Sequence, residues 1–271
     1  MVIGVLVELC EDVGASIGKV KELGLASCQI CNWQQDLYTP GLARRTAAAC
    51  EENGIAISTL WAGWSGPKVW DFYQGPATLG LLPEAYRQER VADLKRGADF
   101  AQLLGVDQVA THAGFIPENP NESGYAGMIA ALKDVARYLG DMGKFLLFET
   151  GQETPVTLIR AFGDIGEKNL GINLDPANLM MYGKANPVDA LSLLGKYVMD
   201  VHAKDGAYPT AGRELGHEYA LGHGMVDFPA LVKGLKAYGY DGALTIEREI
   251  SGEEQLRDIL SAKAYLETLI D

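Results

Sequence analysis

Three carboxylates and one imidazole stand at matching places in this chain. Phe145 to Phe148 is an apolar run that ends on Glu149, and Gly171 to Leu174 runs into Asp175. Val198 to Ala203 carries His202, and Ala243 to Ile246 ends on Glu247. A charge at the tip of a segment that otherwise wants burial costs desolvation, so it needs a partner. If the four runs are consecutive parallel strands, their tips converge, and three carboxylates crowded together repel one another unless a cation neutralises them. One divalent ion with oxygen and nitrogen ligands fits: Mn²⁺, Mg²⁺, Co²⁺ or Zn²⁺. No thiolate is needed. Each residue alone has a plainer explanation. A strand-end glutamate is commonly solvated, Asp175 before Pro176 can cap a helix, a single His202 can be a hydrogen-bonded core residue, and Glu247 can pair with Arg248 or Lys204. The recurrence on four successive strand ends is what points to a metal site.

The elements that would position these residues alternate along the whole chain. The patterning predicts strands at Val2 to Leu6, Ser27 to Ile30, Ala56 to Leu60, Val106 to Thr111 and the four runs above. Helical patterns lie between them, for example Gly41 to Asn53, Gln88 to Leu104 and Tyr125 to Met142. Such alternation implies a parallel sheet. Eight units in 271 residues is the size of a (β/α)8 TIM barrel, an α/β fold with its chemistry at the C-terminal strand ends. A doubly wound open sheet is the alternative, but the first strand is followed by Glu8-Leu9-Cys10-Glu11 and not by a glycine-rich phosphate turn. No linker or composition break divides the chain, so residues 1–271 are read as a single domain. Two connections, Ala62 to Glu89 and Asp205 to Val226, are long enough to be lids over the mouth. Glu153 reads as an acid at the start of the helix after the fifth strand.

Composition narrows the function. The net charge is −13, which disfavours nucleic acid and anionic membranes. There is no apolar run of about 18 residues, so no membrane helix is expected. The N-terminus reads as a first strand and not as a signal peptide. Cys10, Cys28, Cys31 and Cys50 read as ordinary reduced thiols. Strand alternation would send Cys28 and Cys31 to opposite faces. A cytoplasmic protein is expected, and assembly as a homo-oligomer is left open.

At the strand ends the sequence resembles the xylose-isomerase-like barrels, the sugar phosphate isomerases and epimerases related to ketose 3-epimerases and inosose isomerases. The resemblance covers about residues 2 to 268. It is carried by THAGFIP (111–117), FETGQET (148–154), NLDPANLMMYG (173–183), DVHAKDG (200–206), LGHGMVDFP (221–229) and LTIERE (244–249). It implies the same ligand set, Glu149, Asp175, His202 and Glu247, with Glu149 and Glu247 also serving as the acid/base pair. The pattern departs from the ketose epimerases at Asn178, where many have histidine, and at Tyr208, where they have arginine. The implied substrate is a small-molecule sugar. Proton abstraction beside its carbonyl gives an enediolate, and return of the proton isomerises or epimerises it. Lys204 would then stabilise charge on a substrate oxygen or pair with Asp205 or Glu149. His112 would bond a substrate hydroxyl or stand behind the site, and Trp61 and Trp64 would form an apolar wall or pack the barrel top. The rival readings are a metal-dependent lyase or deglycosidase acting on a keto-glycoside, an abasic-site endonuclease, and a non-catalytic sugar-binding barrel. Few histidines and the acidic balance count against the endonuclease.

Overall fold

In the computed structural model, which describes residues 1–270, eight parallel strands close into a barrel. They are β1 (Val2–Glu8), β2 (Ser27–Asn32), β3 (Ala56–Ala62), β4 (Gln108–Thr111), β5 (Phe145–Glu149), β6 (Leu170–Leu174), β7 (Val198–Ala203) and β8 (Ala243–Ile246). Each pairs with its neighbours in sequence order, and β8 closes the ring on β1 through Val2↔Ala243 and Gly4↔Thr245. This is the single TIM barrel that the alternating pattern predicts. Helices cover the outside, and the core between strands and helices holds Ile3, Val5, Ile30, Leu60, Val109, Leu146, Phe148, Ile172 and Val201.

Local chemistry sets the helix ends. Thr39, Thr154, Asn186 and Asp227 accept backbone N–H groups at N-termini whose first turn carries proline. Gly54, Gly105 and Gly166 end helices at φ of +68°, +73° and +71°, a conformation open to glycine without steric cost. Three strands run further toward the mouth than the sequence suggested. β1 reaches Glu8, β2 Asn32 and β3 Ala62, because Glu8↔Cys31 and Asn32↔Ala62 continue the pairing past the apolar run.

The long connections are structured. Ala62 to Glu89 contains a short helix, Gly75–Thr78, and the first turn of helix Glu84–Leu104. The buried Arg90 guanidinium donates to the carbonyls of Ser65 (3.0 Å), Pro67 (2.9 Å) and Gly80 (2.6 Å), tying the two ends of this segment together. In the other connection Asp205–Gly206 pairs antiparallel with Glu218–Tyr219. The Asp205 carboxylate accepts the N–H groups of Gly206, Gly222, Gly224 and Val226 at 2.8–3.1 Å. Among the described residues no helix is long and apolar enough to cross a membrane.

Candidate metal centre

Strand alternation brings every second side chain to the barrel interior, and four such side chains meet at the mouth. Glu149, Asp175, His202 and Glu247 each offer a ligand atom, all within 4.8 Å of one another. His202 Nδ1 is the hub: it lies 2.8 Å from Glu247 Oε2, 3.3 Å from Glu149 Oε1 and 3.7 Å from Asp175 Oδ2. Asp175 Oδ2, His202 Nδ1 and Glu247 Oε2 are buried and have no hydrogen-bond partner. Buried polar atoms are rarely left so. Three of them facing one point, in a set of carboxylates and one imidazole, fit a divalent cation with oxygen and nitrogen ligands.

The surroundings hold these groups charged. Asp175 Oδ1 caps helix Pro176–Met181 by accepting from Asn178 N–H (2.8 Å), which aims Oδ2 at the cluster. This short helix starts directly at the strand end, so Asp175 is the helix cap that the following Pro176 suggested and a member of the cluster at once. The Trp61 indole N–H donates to Glu149 Oε2, and Asn178 Nδ2 donates to Oε1 at 3.2 Å. Burial disfavours ionised Glu149, but His112 and His202 outweigh it and hold the carboxyl below its usual value. Burial likewise opposes ionised Glu247, and Lys204 and His202 outweigh it. Burial pushes Asp175 up to about 6 against the pull of Lys204. His202 is held well above its ordinary value, since Glu247 and Glu149 overcome its burial.

Above the cluster is a pocket of about 500 Å³. One wall is aromatic. Trp33 follows β2 and lies 4.8 Å, centroid to centroid, from Trp61 and 6.2 Å from Trp70. Gly63 makes room for it, because a Cβ there would come within 2.4 Å of the Trp33 ring. The wall grades outward from Trp61, 4% exposed, to Trp70, 39% exposed. The opposite side carries Gln152, Asn178 and Tyr182.

The expected residues fall in different places. His112 lines the pocket, with Nε2 3.4 Å from Glu149 Oε2. Burial lowers its pKa against the pull of Glu149. Trp61 lines the pocket, but Trp64 does not: its ring is fully buried under the loop, 3.9 Å from the Arg90 guanidinium. Lys204 sits behind the cluster, buried, at 2.7 Å from Glu249, 3.4 Å from Glu247 and 3.7 Å from Asp175. Asp205 is occupied in its loop. His223, in the loop after β7, is exposed and absent from the pocket wall. Glu153 does not begin the next helix, whose cap is Thr154; its carboxyl is buried without a partner. Sequence reasoning missed Glu8, Trp33, Lys68, Trp70, Gln152 and Tyr182. Glu8 and Trp33 lie at strand ends and could have been found by the rule that found Glu149; the loop residues carried no such signal.

The sequence pattern of the xylose isomerase-like TIM barrel family matches residues 17–268. The chain belongs to that family. Within it, a solved xylose isomerase domain protein from Planctomyces limnophilus is 32% identical, with a TM-score of 0.92 over 98% of this chain and 96% of that one. A D-tagatose 3-epimerase-like protein, 24% identical, superposes with a TM-score of 0.76 over 100% of this chain and 97% of its own. The 3-keto-D-glucoside 4-epimerase of E. coli, 19% identical, gives 0.74 over 99% of each chain. These last two share the fold. An uncharacterized protein of Methanocaldococcus jannaschii is 27% identical over 209 residues, 72% of this chain but 66% of that protein's length.

Proposed function

We propose that this protein is a divalent-metal-dependent sugar isomerase or epimerase that moves a proton next to a carbonyl. The observation that carries the reading is the cluster of unpaired, buried ligand atoms on four consecutive strands at the floor of a sugar-sized, tryptophan-walled pocket. Family membership and the epimerase names among the structural neighbours support it. A bound divalent ion would supply a Lewis acid for the substrate carbonyl.

The protein's own groups do the rest. Glu149 and Glu247 stand at the two ends of the four-strand arc, and both are held ionised, as a base must be. One takes the proton beside the carbonyl and leaves an enediolate. The other, protonated from solvent for that half-reaction, gives its proton to the opposite face, which epimerises the carbon, or the first gives its own to the neighbouring carbon, which isomerises the sugar; exchange with solvent resets both carboxyls. The Trp61 indole and His112 hold Glu149 in place, and Lys204 does so for Glu247. Trp61, Trp33 and Trp70 offer apolar faces to the sugar's C–H groups and exclude water. The aromatic wall continues beyond the cluster toward the mouth. That supports a second reading, a lyase that expels an aglycone held there from a keto-glycoside.

The test is exchange. With Mn²⁺-loaded protein and a panel of ketoses, product formed in heavy water should carry deuterium at the reacting carbon. Glu149→Gln and Glu247→Gln keep an oxygen in place but remove the base, and each should cut turnover by roughly 100-fold or more. Turnover without solvent deuterium would show transfer along the carbon chain and would reduce both glutamates to ligands. Release of an aglycone would select the lyase.

A further inference from the structure

Beneath the ligand cluster, inside the barrel, lies a buried carboxylate that the proposed chemistry does not use. Asp200 is fully buried. Its Oδ2 accepts from Ser58 Oγ (2.8 Å), Thr59 Oγ1 (2.6 Å) and Gln29 Nε2 (3.0 Å), and its Oδ1 accepts from the Val201 N–H at 2.8 Å. The Gln29 amide bridges this carboxylate to the imidazole of His202, with Oε1 2.8 Å from Nε2. We propose that Asp200 and Gln29 are positioning residues that hold His202 with a proton on Nε2 and its Nδ1 lone pair toward Glu149, Asp175 and Glu247. The inference rests on the metal-centre reading for its purpose, though not for its geometry.

Two amides compete for the same imidazole nitrogen. Asn173 Nδ2 lies 3.0 Å from Nε2 and, as a donor, asks for a bare nitrogen there. That would move the proton to Nδ1, into the middle of the ligand atoms, and close the site to a cation. Gln29 Oε1 can only accept, so it asks for the opposite. Asp200 decides between them. Its two oxygens accept from Ser58, Thr59 and the Val201 N–H, and the Gln29 amide meets it as one more donor, which fixes that amide with its NH₂ inward and its oxygen toward His202. The turned-over amide would set oxygen against oxygen in a buried place. Gln29 is held at 3.0 Å from Asp200 and 2.8 Å from His202, whereas Asn173 meets Gln29 at 3.4 Å and His202 at 3.0 Å, so the better anchored Gln29 outweighs Asn173. The partner of a ligating histidine's second nitrogen fixes the ring's tautomer and orientation, and losing it typically costs about 10- to 100-fold in metal affinity.

The experiment compares Gln29→Leu, Asp200→Asn and Asn173→Leu with the wild type, using Mn²⁺ alone in calorimetric titrations of the full chain. Gln29→Leu leaves the Asn173 donor unopposed and should weaken Mn²⁺ by about 10- to 100-fold. Asp200→Asn should move in the same direction. Asn173→Leu removes the competing donor and should bind Mn²⁺ at least as well as the wild type, whereas a packing role alone would make the two leucine variants alike. Independently of any metal, ¹⁵N-resolved spectra of metal-free protein should show a slowly exchanging His202 Nε2–H in the wild type and Asn173→Leu, lost in Gln29→Leu. If Asp200→Asn does not fold, Gln29→Leu and Asn173→Leu still decide. Wild-type affinity in Gln29→Leu, or no protected Nε2–H in the wild type, overturns the assignment. A wild type that takes up no divalent ion yet shows the protected proton would instead sink the metal reading and leave the geometry standing.

Discussion

Replacing Glu153 by glutamine should raise stability in a pH-dependent way. Glu153 follows β5 in the loop beside the pocket and is 3% exposed, and neither carboxylate oxygen has a hydrogen-bond partner. Burial pushes its pKa from 4.5 up to about 8, with Lys184 too weak a counter-charge to prevent it. The folded protein therefore binds this proton more tightly than the unfolded chain does. Below pH 4.5 both states are protonated and the residue is neutral to stability. As pH rises through 4.5 the unfolded chain ionises first and gains free energy, and the folded state loses relative stability until about pH 8, where it ionises too. The slope across that window is about 1.4 kcal/mol per pH unit, so the total is on the order of 3–5 kcal/mol. Glu153→Gln removes the slope. Its amide is also buried and unpaired, so a constant offset of roughly 1–3 kcal/mol remains, and the informative quantity is the change with pH. Urea unfolding of chelator-treated wild type and variant at pH 5, 6, 7 and 8 should show the difference moving steadily in the variant's favour. Asp175, raised to about 6 in the same range, contributes to both proteins and cancels. A difference that stays flat from pH 5 to 8 would mean that Glu153 is solvated or paired, and the account of its burial would be wrong.

Two further outcomes follow from the loop over the mouth. Arg90→Met keeps the apolar stem but leaves the carbonyls of Ser65, Pro67 and Gly80 without their donors. Hydrogen exchange should then speed up by at least about 10-fold across residues 65–80, with a stability loss of a few kcal/mol; unchanged exchange would show that the segment is held by other contacts. Trp70→Ala removes a half-open ring at the outer end of the aromatic wall. It should change stability by no more than about 0.5 kcal/mol while weakening sugar binding by roughly 2- to 10-fold, the scale of one stacking contact. Unaltered binding would place the sugar away from that wall.

The fold was legible because barrel strands and helices differ in period, and the chain marks most boundaries with glycine, proline or a capping side chain. The extra residues of β1, β2 and β3 were not, because their pairing past the apolar runs depends on neighbours far away in sequence. Cys28 and Cys31 do face opposite ways as alternation requires: Cys28 packs in the core between strands and helices, and Cys31 lines the pocket. Glu153 was misread because an acid before a helix is commonplace, and nothing local shows that the loop folds it inward. Trp64 and Trp70 look alike in sequence, both tryptophans in one glycine-rich stretch. What separates them is Arg90 on the following helix, which covers one and leaves the other at the mouth.

The same period of two that found the candidate ligands also defines the layer beneath them. Two residues before Glu149, Asp175, His202 and Glu247 stand Leu147, Asn173, Asp200 and Thr245. On β5 this layer is apolar, and Leu147 packs with Cys31, Trp61 and Ala110. On β6 to β8 it is polar, and Gln29 joins it from β2 by bonding to Asp200 and approaching Asn173 at 3.4 Å. A purely apolar layer would pack a barrel interior at least as well, since buried polar groups give little net stability even when fully paired. A polar layer placed under His202 does something an apolar one cannot: it offers the second imidazole nitrogen an acceptor of fixed direction. The division of the barrel follows from this. The half from β1 to β4 supplies the aromatic wall, with Trp33, Trp61 and His112 at or just past its strand ends. The half from β5 to β8 supplies charge above and, from β6 onward, hydrogen bonds below. In this barrel, a strand-end histidine two residues after a buried aspartate is a more specific mark of a candidate ligand than either residue alone.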